Sequence, residues 1–129
     1  MNTSVVSGLD YYPLLKPGER FPINDSNLQP RLEPRPESDA LFLQGMLESI
    51  AAIEKLAYTR LTELGGSPLR SIRTVGGGAS NNAWTEIRKA QLPNIPFNKS
   101  LSEHAATGTA VLAKRGAIEA GLSDASISN

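Results

Sequence analysis

The sequence predicts an α/β layered fold with an incomplete sheet, and three observations carry that reading. One long segment has the apolar spacing of an amphipathic helix, two shorter helical segments follow it, and only two short runs between them have the composition of strands. The order is loop, helix, strand, glycine turn, helix, short strand, helix. Two strands leave both sheet edges open, an arrangement that single domains avoid, so the missing strands are expected from another copy or another chain.

From Gly8 to Asp39 the chain carries six of its nine prolines. Proline fixes φ and lacks a donor, so neither a long helix nor a central strand runs through this segment. Yet Tyr11, Tyr12, Leu14, Leu15, Phe21 and Ile23 are too apolar for a solvated tail. The expectation is a long loop laid against a surface, on this chain or on another.

Ser38 is a good N-cap for the run DALFLQGMLESIAAIEKLAYTRLTEL. Leu43, Leu47, Ile50, Ile53, Ala57, Leu61 and Leu64 follow steps of three and four, with Phe42, Met46 and Leu56 widening the apolar face. The helix would be roughly 39 Å long, and Gly65-Gly66 would stop it. Gly45 inside it costs stability and suggests a close approach.

The run LRSIRTV, with β-branched Ile72, Thr74 and Val75, reads as a strand. Gly76, Gly77 and Gly78 follow it, and NNAWTEIRKAQL then restores helical spacing, with Asn81 or Asn82 as N-cap. NIPF is a brief strand or an extended linker. SLSEHAATGTAVLAKRG reads as a helix with a capping box from Ser100 to Glu103 and a small-residue face of Ala106, Gly108 and Ala110, packed closely on something. The remainder, AIEAGLSDASISN, reads as a frayed tail. The chain thus divides into an irregular segment at 1–37, a central region at 38–115 and a tail at 116–129.

Bulk properties narrow the function. The 129 residues suit one small domain or a piece of a larger one, and thirteen basic and thirteen acidic residues cancel, so no global field draws the chain toward nucleic acid or an anionic membrane. No cysteine is present, which excludes disulfides and thiol chemistry and suits a reducing compartment. With one histidine and no clustered Asp/Glu motif, no protein-bound metal is expected. The start MNTSVVSGLDYYP lacks the pattern of a signal peptide and no run approaches a membrane span, so the reading is of a soluble, cytoplasmic protein.

A strand feeding a glycine turn feeding a helix gathers unsatisfied N–H groups and the positive end of a helix dipole at one place. Glycine lets a ligand approach the backbone and permits φ > 0. The stretch is neither a Walker A loop nor a dinucleotide fingerprint. From the residues alone it is a phosphate cradle or a plain tight turn.

TVGGGASNNAW, with the long helix before it and AATGTAVLA after it, resembles the C-terminal nucleotide-binding domain of the FGGY carbohydrate kinases, of the actin-like, ribonuclease H-like fold. The opening, GLDYYPL through PGERFP to LQPRLEPRP, resembles the branch of that family in cyanobacteria and plants that phosphorylates the ketopentose ribulose. The likeness spans nearly all of residues 8–113. It implies a partial sugar kinase domain lacking several strands, in which Gly76, Gly77, Gly78 and Ala79 approach the phosphates and ribose of ATP and Asn81 lies at the adenine. Mg²⁺ would arrive with the nucleotide. Trp84 matches a family aromatic and equally suits a core position.

Two positions depart from the family pattern: His104 stands where a Glu is usual, and Thr107 where an aromatic is usual. His104 reads as a surface or packing residue. The family's sugar site, its early Asp-x-Gly-Thr motif and its Asp base lie on portions not matched here, and Asp10, Asp25, Asp39 and Asp124 read as turn, cap or tail residues, so no catalytic residue is assigned. The expectation is the C-terminal part of an ATP-dependent ketopentose kinase, from a truncated or split reading frame and working with a separately encoded N-terminal part. The alternative is a non-catalytic nucleotide-binding or interaction remnant.

Overall fold

The structure is a computed structural model and describes residues 1–101 and 105–121. Its elements are α1 (Asp39–Glu63), β1 (Ile72–Arg73), a 3₁₀ turn (Gly77–Ser80), α2 (Asn82–Gln91), β2 (Phe97–Asn98) and α3 (Ala105–Glu119). Strands β1 and β2 pair in parallel, Ile72 opposite Phe97 and Arg73 opposite Asn98. Parallel pairing needs a crossover, and α2 provides it, so the turn and α2 form the connection of one βαβ unit. The strand expected over 69–75 is therefore two residues long, because only residues 97–98 lie opposite to complete a ladder.

Helix α1 begins and ends as its sequence requires. The Ser38 hydroxyl accepts the Leu41 N–H at 3.2 Å. At the other end the Gly66 N–H donates to the Leu61 carbonyl at 2.8 Å and the Gly65 N–H to Thr62 at 3.1 Å, while Gly65 takes φ +100°. This pair of bonds closes the helix and satisfies carbonyls that would otherwise be left open.

The face that α1 buries departs in part from the expected one, for Leu47, Ile53 and Ala57 of the apolar stripe are half-buried. Gln44, Gly45, Ser49 and Ala51 are buried, whereas Leu43 is 49% exposed, Ile50 39% and Leu61 48%. The reason is that this polar and small-residue face holds the first segment of the chain. Gln44 Nε2 donates to the Val5 carbonyl at 2.7 Å, the Glu48 carboxylate accepts the Ser7 N–H at 3.1 Å, and the Ser49 hydroxyl accepts the Tyr11 N–H at 2.9 Å. Directional bonds of this kind, with the antiparallel backbone pairs Tyr12–Arg31 and Glu19–Asp25 inside the proline-rich segment, fix its path.

Tyr11 is the anchor of that segment. It is 1% exposed, its ring meets Phe42 edge-on with centroids 5.5 Å apart, and its hydroxyl donates to the Pro34 carbonyl. A surface for the loop thus exists on this chain, although Leu15 and Phe21 remain exposed. Gly45 is the place where the segment meets α1: a Cβ there would stand 2.8 Å from Leu9 Cδ1 and 3.0 Å from the Tyr11 ring. Gly45→Ala is expected to destabilise the chain by about 1–3 kcal/mol through overpacking, despite the better helix propensity of alanine. A urea titration that showed a more stable variant would refute this packing account.

Helix α3 runs through Glu119, so residues 117–119 belong to it and not to a frayed tail. The close packing expected of its small-residue face is not made among the described residues: Ala106, Gly108, Ala110, Val111, Leu112 and Ile118 are all exposed. Glu103, the partner proposed for Ser100 in a capping box, lies outside the described residues, as do His104 and Asp124. No helix among the described residues is long and apolar enough to cross a membrane.

Candidate functional site

The glycine turn begins at Gly76, whose φ of +85° and ψ of −170° belong to a region that only glycine enters at low cost. The positive φ expected across the triplet is confined to this residue, because Gly77 and Gly78 have already entered the 3₁₀ turn. The Ala79 N–H donates to the Gly76 carbonyl at 3.1 Å and the Asn81 N–H to Gly78 at 3.2 Å. Ser80 Oγ returns a bond to the Gly77 carbonyl at 3.0 Å.

Asn81 then caps α2. Its side-chain oxygen accepts the Trp84 N–H at 3.0 Å, so of the two candidate caps the first is used. That bond occupies Asn81 Oδ1 and leaves its amide nitrogen as the group with which the side chain could reach a ligand. Among the described residues, the amides of Gly77, Gly78, Asn82 and Ala83 have no hydrogen-bond partner. A Cβ placed on Gly77 would meet nothing within 4 Å, and one on Gly78 only the Trp84 indole at 3.6 Å. The turn therefore gathers unpartnered donors, with open space on the Cβ side of Gly77, at the positive end of a ten-residue helix.

Beside the turn, between it and β2, lies a hollow of about 260 Å³ lined by Thr74, Ala79, Thr85, Lys89, Phe97 and Lys99 among others. Of the residues singled out in the sequence, Ala79 alone reaches this hollow; Gly76, Gly77, Gly78 and Asn81 lie along its approach in the chain. Two lysines in the wall give it a sign that suits an anion.

Next to the turn lies a buried charged residue that the sequence reading passed over. Arg88 is 7% exposed, yet it carries a charge into the layer between α1, α2 and the sheet. Its Nε donates to Glu54 Oε2 at 2.8 Å and its Nη2 to Glu54 Oε1 at 2.7 Å, a two-pronged pair, while its Nη1 donates to the Thr74 hydroxyl. The guanidinium lies 5.5 Å from the Trp84 ring centre and 5.1 Å from that of Phe97. Glu54 in the midst of an apolar helical run, and Arg88 one turn beyond Trp84, are the signals that could have pointed to it.

The same network moves two titrations. The hydrogen bond to Glu54 raises the Arg88 pKa against the opposing effect of burial, so the guanidinium stays charged. Burial first, and the neighbouring Glu54 second, push the Tyr58 phenol above its usual 10.0. A raised phenol pKa in the folded state stabilises the protein below the ordinary tyrosine range, and that contribution is lost as pH rises through the folded value. Tyr58→Phe is expected to flatten the alkaline side of the stability profile, above about pH 10; an unchanged alkaline slope in thermal unfolding would contradict the assignment.

The three aspartates among the described residues make turn or surface contacts. Asp25 accepts the Asn27 N–H at 2.9 Å in a turn, Asp39 pairs with Arg35 at 2.7 Å in the first turn of α1, and Asp10 pairs with Arg31 at 2.8 Å on the surface.

A glycine turn with open amides between a parallel strand and a helix is the construction of an anion-binding α/β domain. The family described as the FGGY family of carbohydrate kinases, C-terminal domain, matches residues 4–117. This chain belongs to that family. Its members have the actin-like sugar kinase fold and transfer phosphate from ATP, generally with Mg²⁺, and the three helices and two-stranded parallel sheet seen here are consistent with part of that domain.

Proposed function

We propose that this chain is the nucleotide-binding portion of an ATP-dependent carbohydrate kinase that phosphorylates a ketopentose such as D-ribulose. The single observation that carries the ATP reading is the set of open amides at Gly77, Gly78, Asn82 and Ala83 at the N-terminus of α2, with open space beside Gly77. In this reading Gly76, Gly77, Gly78 and Ala79 follow the phosphates and ribose, and the Asn81 amide nitrogen meets the adenine. Lys89 and Lys99 add positive charge next to the same turn. Mg²⁺ comes with the nucleotide, since neutral amides and lysines suit an anion and not a bare cation. The ketopentose reading rests on the resemblance of the opening segment, residues 8–36, to the ribulose-phosphorylating branch.

Phosphoryl transfer requires acceptor, γ-phosphate, metal and base to be held in line, and the groups assigned here hold one reactant. The proline-rich segment at 1–37 and the region at 38–115 act as one nucleotide-side unit that needs a sugar-side domain, and we place the reaction in the cytoplasm.

Trp84 is the chain's single tryptophan and lies against Gly78, so its fluorescence reports on the turn. Saturable quenching by MgATP is expected from the chain alone, without sugar-dependent ADP release. With the N-terminal portion of a close family member co-expressed, ADP release is expected to appear and to be fastest with D-ribulose among a panel of pentuloses, hexuloses and polyols. Sugar phosphorylation by the chain alone would overturn the division of labour. The absence of any Trp84 response to MgATP would overturn the ATP reading, and a different preferred sugar would overturn the branch assignment alone.

A further inference from the structure

The glycine turn is held by one side chain that comes from beyond it. Thr74 stands two residues before Gly76, where the strand enters the turn, and its hydroxyl accepts from Arg88 Nη1. On the far side of the turn the Trp84 indole abuts Gly78, and Arg88 lies under that ring at 5.5 Å. Arg88 therefore touches the entrance of the turn through Thr74 and its exit through Trp84. Its two other nitrogens, Nε and Nη2, donate to Glu54 at 2.8 and 2.7 Å, and Glu54 sits on α1. We propose that Arg88 is a positioning residue that fixes the shape of the glycine turn, tying Thr74 and Trp84 to α1 so that the open amides are held in place before a ligand arrives.

The chemistry requires arginine. Three nitrogens of one planar group reach two acceptor residues, Glu54 and Thr74, while its carbon lies over the Trp84 and Phe97 rings, and a lysine ammonium cannot satisfy that set from one position. Thr74 is half-buried, and its hydroxyl accepts from Arg88, which is 7% exposed. The rest of α2 has its own ladder, and its last turn closes through the Leu92 N–H on the Arg88 carbonyl at 3.1 Å, a backbone bond that side-chain changes at position 74 do not reach. Order at the turn and order in α2 are therefore separable.

Thr74→Val removes the acceptor at nearly constant volume, and Thr74→Ser restores it. In the full ¹⁵N-labelled chain without ligand, backbone order parameters are expected near 0.85 at Ala79 and Asn81 in the wild type and Thr74→Ser, falling below about 0.6 in Thr74→Val, with Leu92 unchanged in all three. Arg88→Lys is expected to behave as Thr74→Val does; should it fail to fold, Thr74→Val decides. Wild-type order at the turn in Thr74→Val, or a turn already mobile in the wild type, overturns the proposal. The consequence for nucleotide rests on the ATP reading: Thr74→Val should weaken MgATP about 5-fold by Trp84 fluorescence, well below the unfolding temperature. A chain that binds no ATP removes that reading and leaves the order parameters to judge Arg88.

Discussion

Arg88→Met is expected to lower the free energy of unfolding by about 3 kcal/mol, because it leaves the Glu54 carboxylate without its partner in a site where that side chain is 21% exposed. The cost is the stranded charge more than the lost attraction. Arg88→Met combined with Glu54→Leu should therefore recover most of the loss, since a well-packed apolar pair replaces a desolvated ionic one. Urea unfolding followed by far-UV circular dichroism gives all four corners of the cycle. A single-variant loss under about 1 kcal/mol would place the pair with ordinary surface ion pairs, such as Arg35 with Asp39, and would remove the central post of the structure described above.

Gly77→Val should abolish the response to MgATP while changing stability little. No atom stands within 4 Å of the added Cβ and the residue has no positive φ, so the branched side chain projects into the space assigned to phosphate or ribose without straining the chain. Gly76→Ala should do the reverse in part: at φ +85° a Cβ is strained by about 1–3 kcal/mol, and the turn itself is distorted. Gly66→Ala is the control, because its Cβ would stand 2.7 Å from the Leu61 carbonyl oxygen at the far end of α1. It should lower the melting temperature and leave MgATP affinity as it was. Were Gly77→Val to lose stability as Gly66→Ala does while binding ATP normally, the triplet would be a turn and nothing more.

Much of the local structure could be read in advance because its causes are local. Ser38 and the Gly65-Gly66 pair bound α1 within a residue, Asn81 caps α2, and the glycine triplet separates strand from helix, each through bonds made within a few residues. The two strands were legible as places, and their lengths were not, because a strand extends only as far as its neighbour and the ladder ends at residues 73 and 98.

What faces what was decided by tertiary structure alone. The periodicity of α1 marks Leu43, Ile50 and Leu61 as a stripe for burial, but periodicity carries no information on which surface arrives to cover it. The described part of this chain buries Gln44, Gly45 and Ser49 beneath the proline-rich segment and leaves Leu43, Ile50 and Leu61 exposed. Likewise, nothing in the spacing of Glu54, Thr74 and Arg88 along the sequence declares that they meet, for they lie 34 and 14 residues apart and are joined only when α2 folds back onto α1. The sequence by itself determined the elements, the caps of α1 and α2, the glycine turn and the family. The tertiary structure decided the buried ion pair that holds the turn, because a charge can enter a core only where folding brings its counterpart to it.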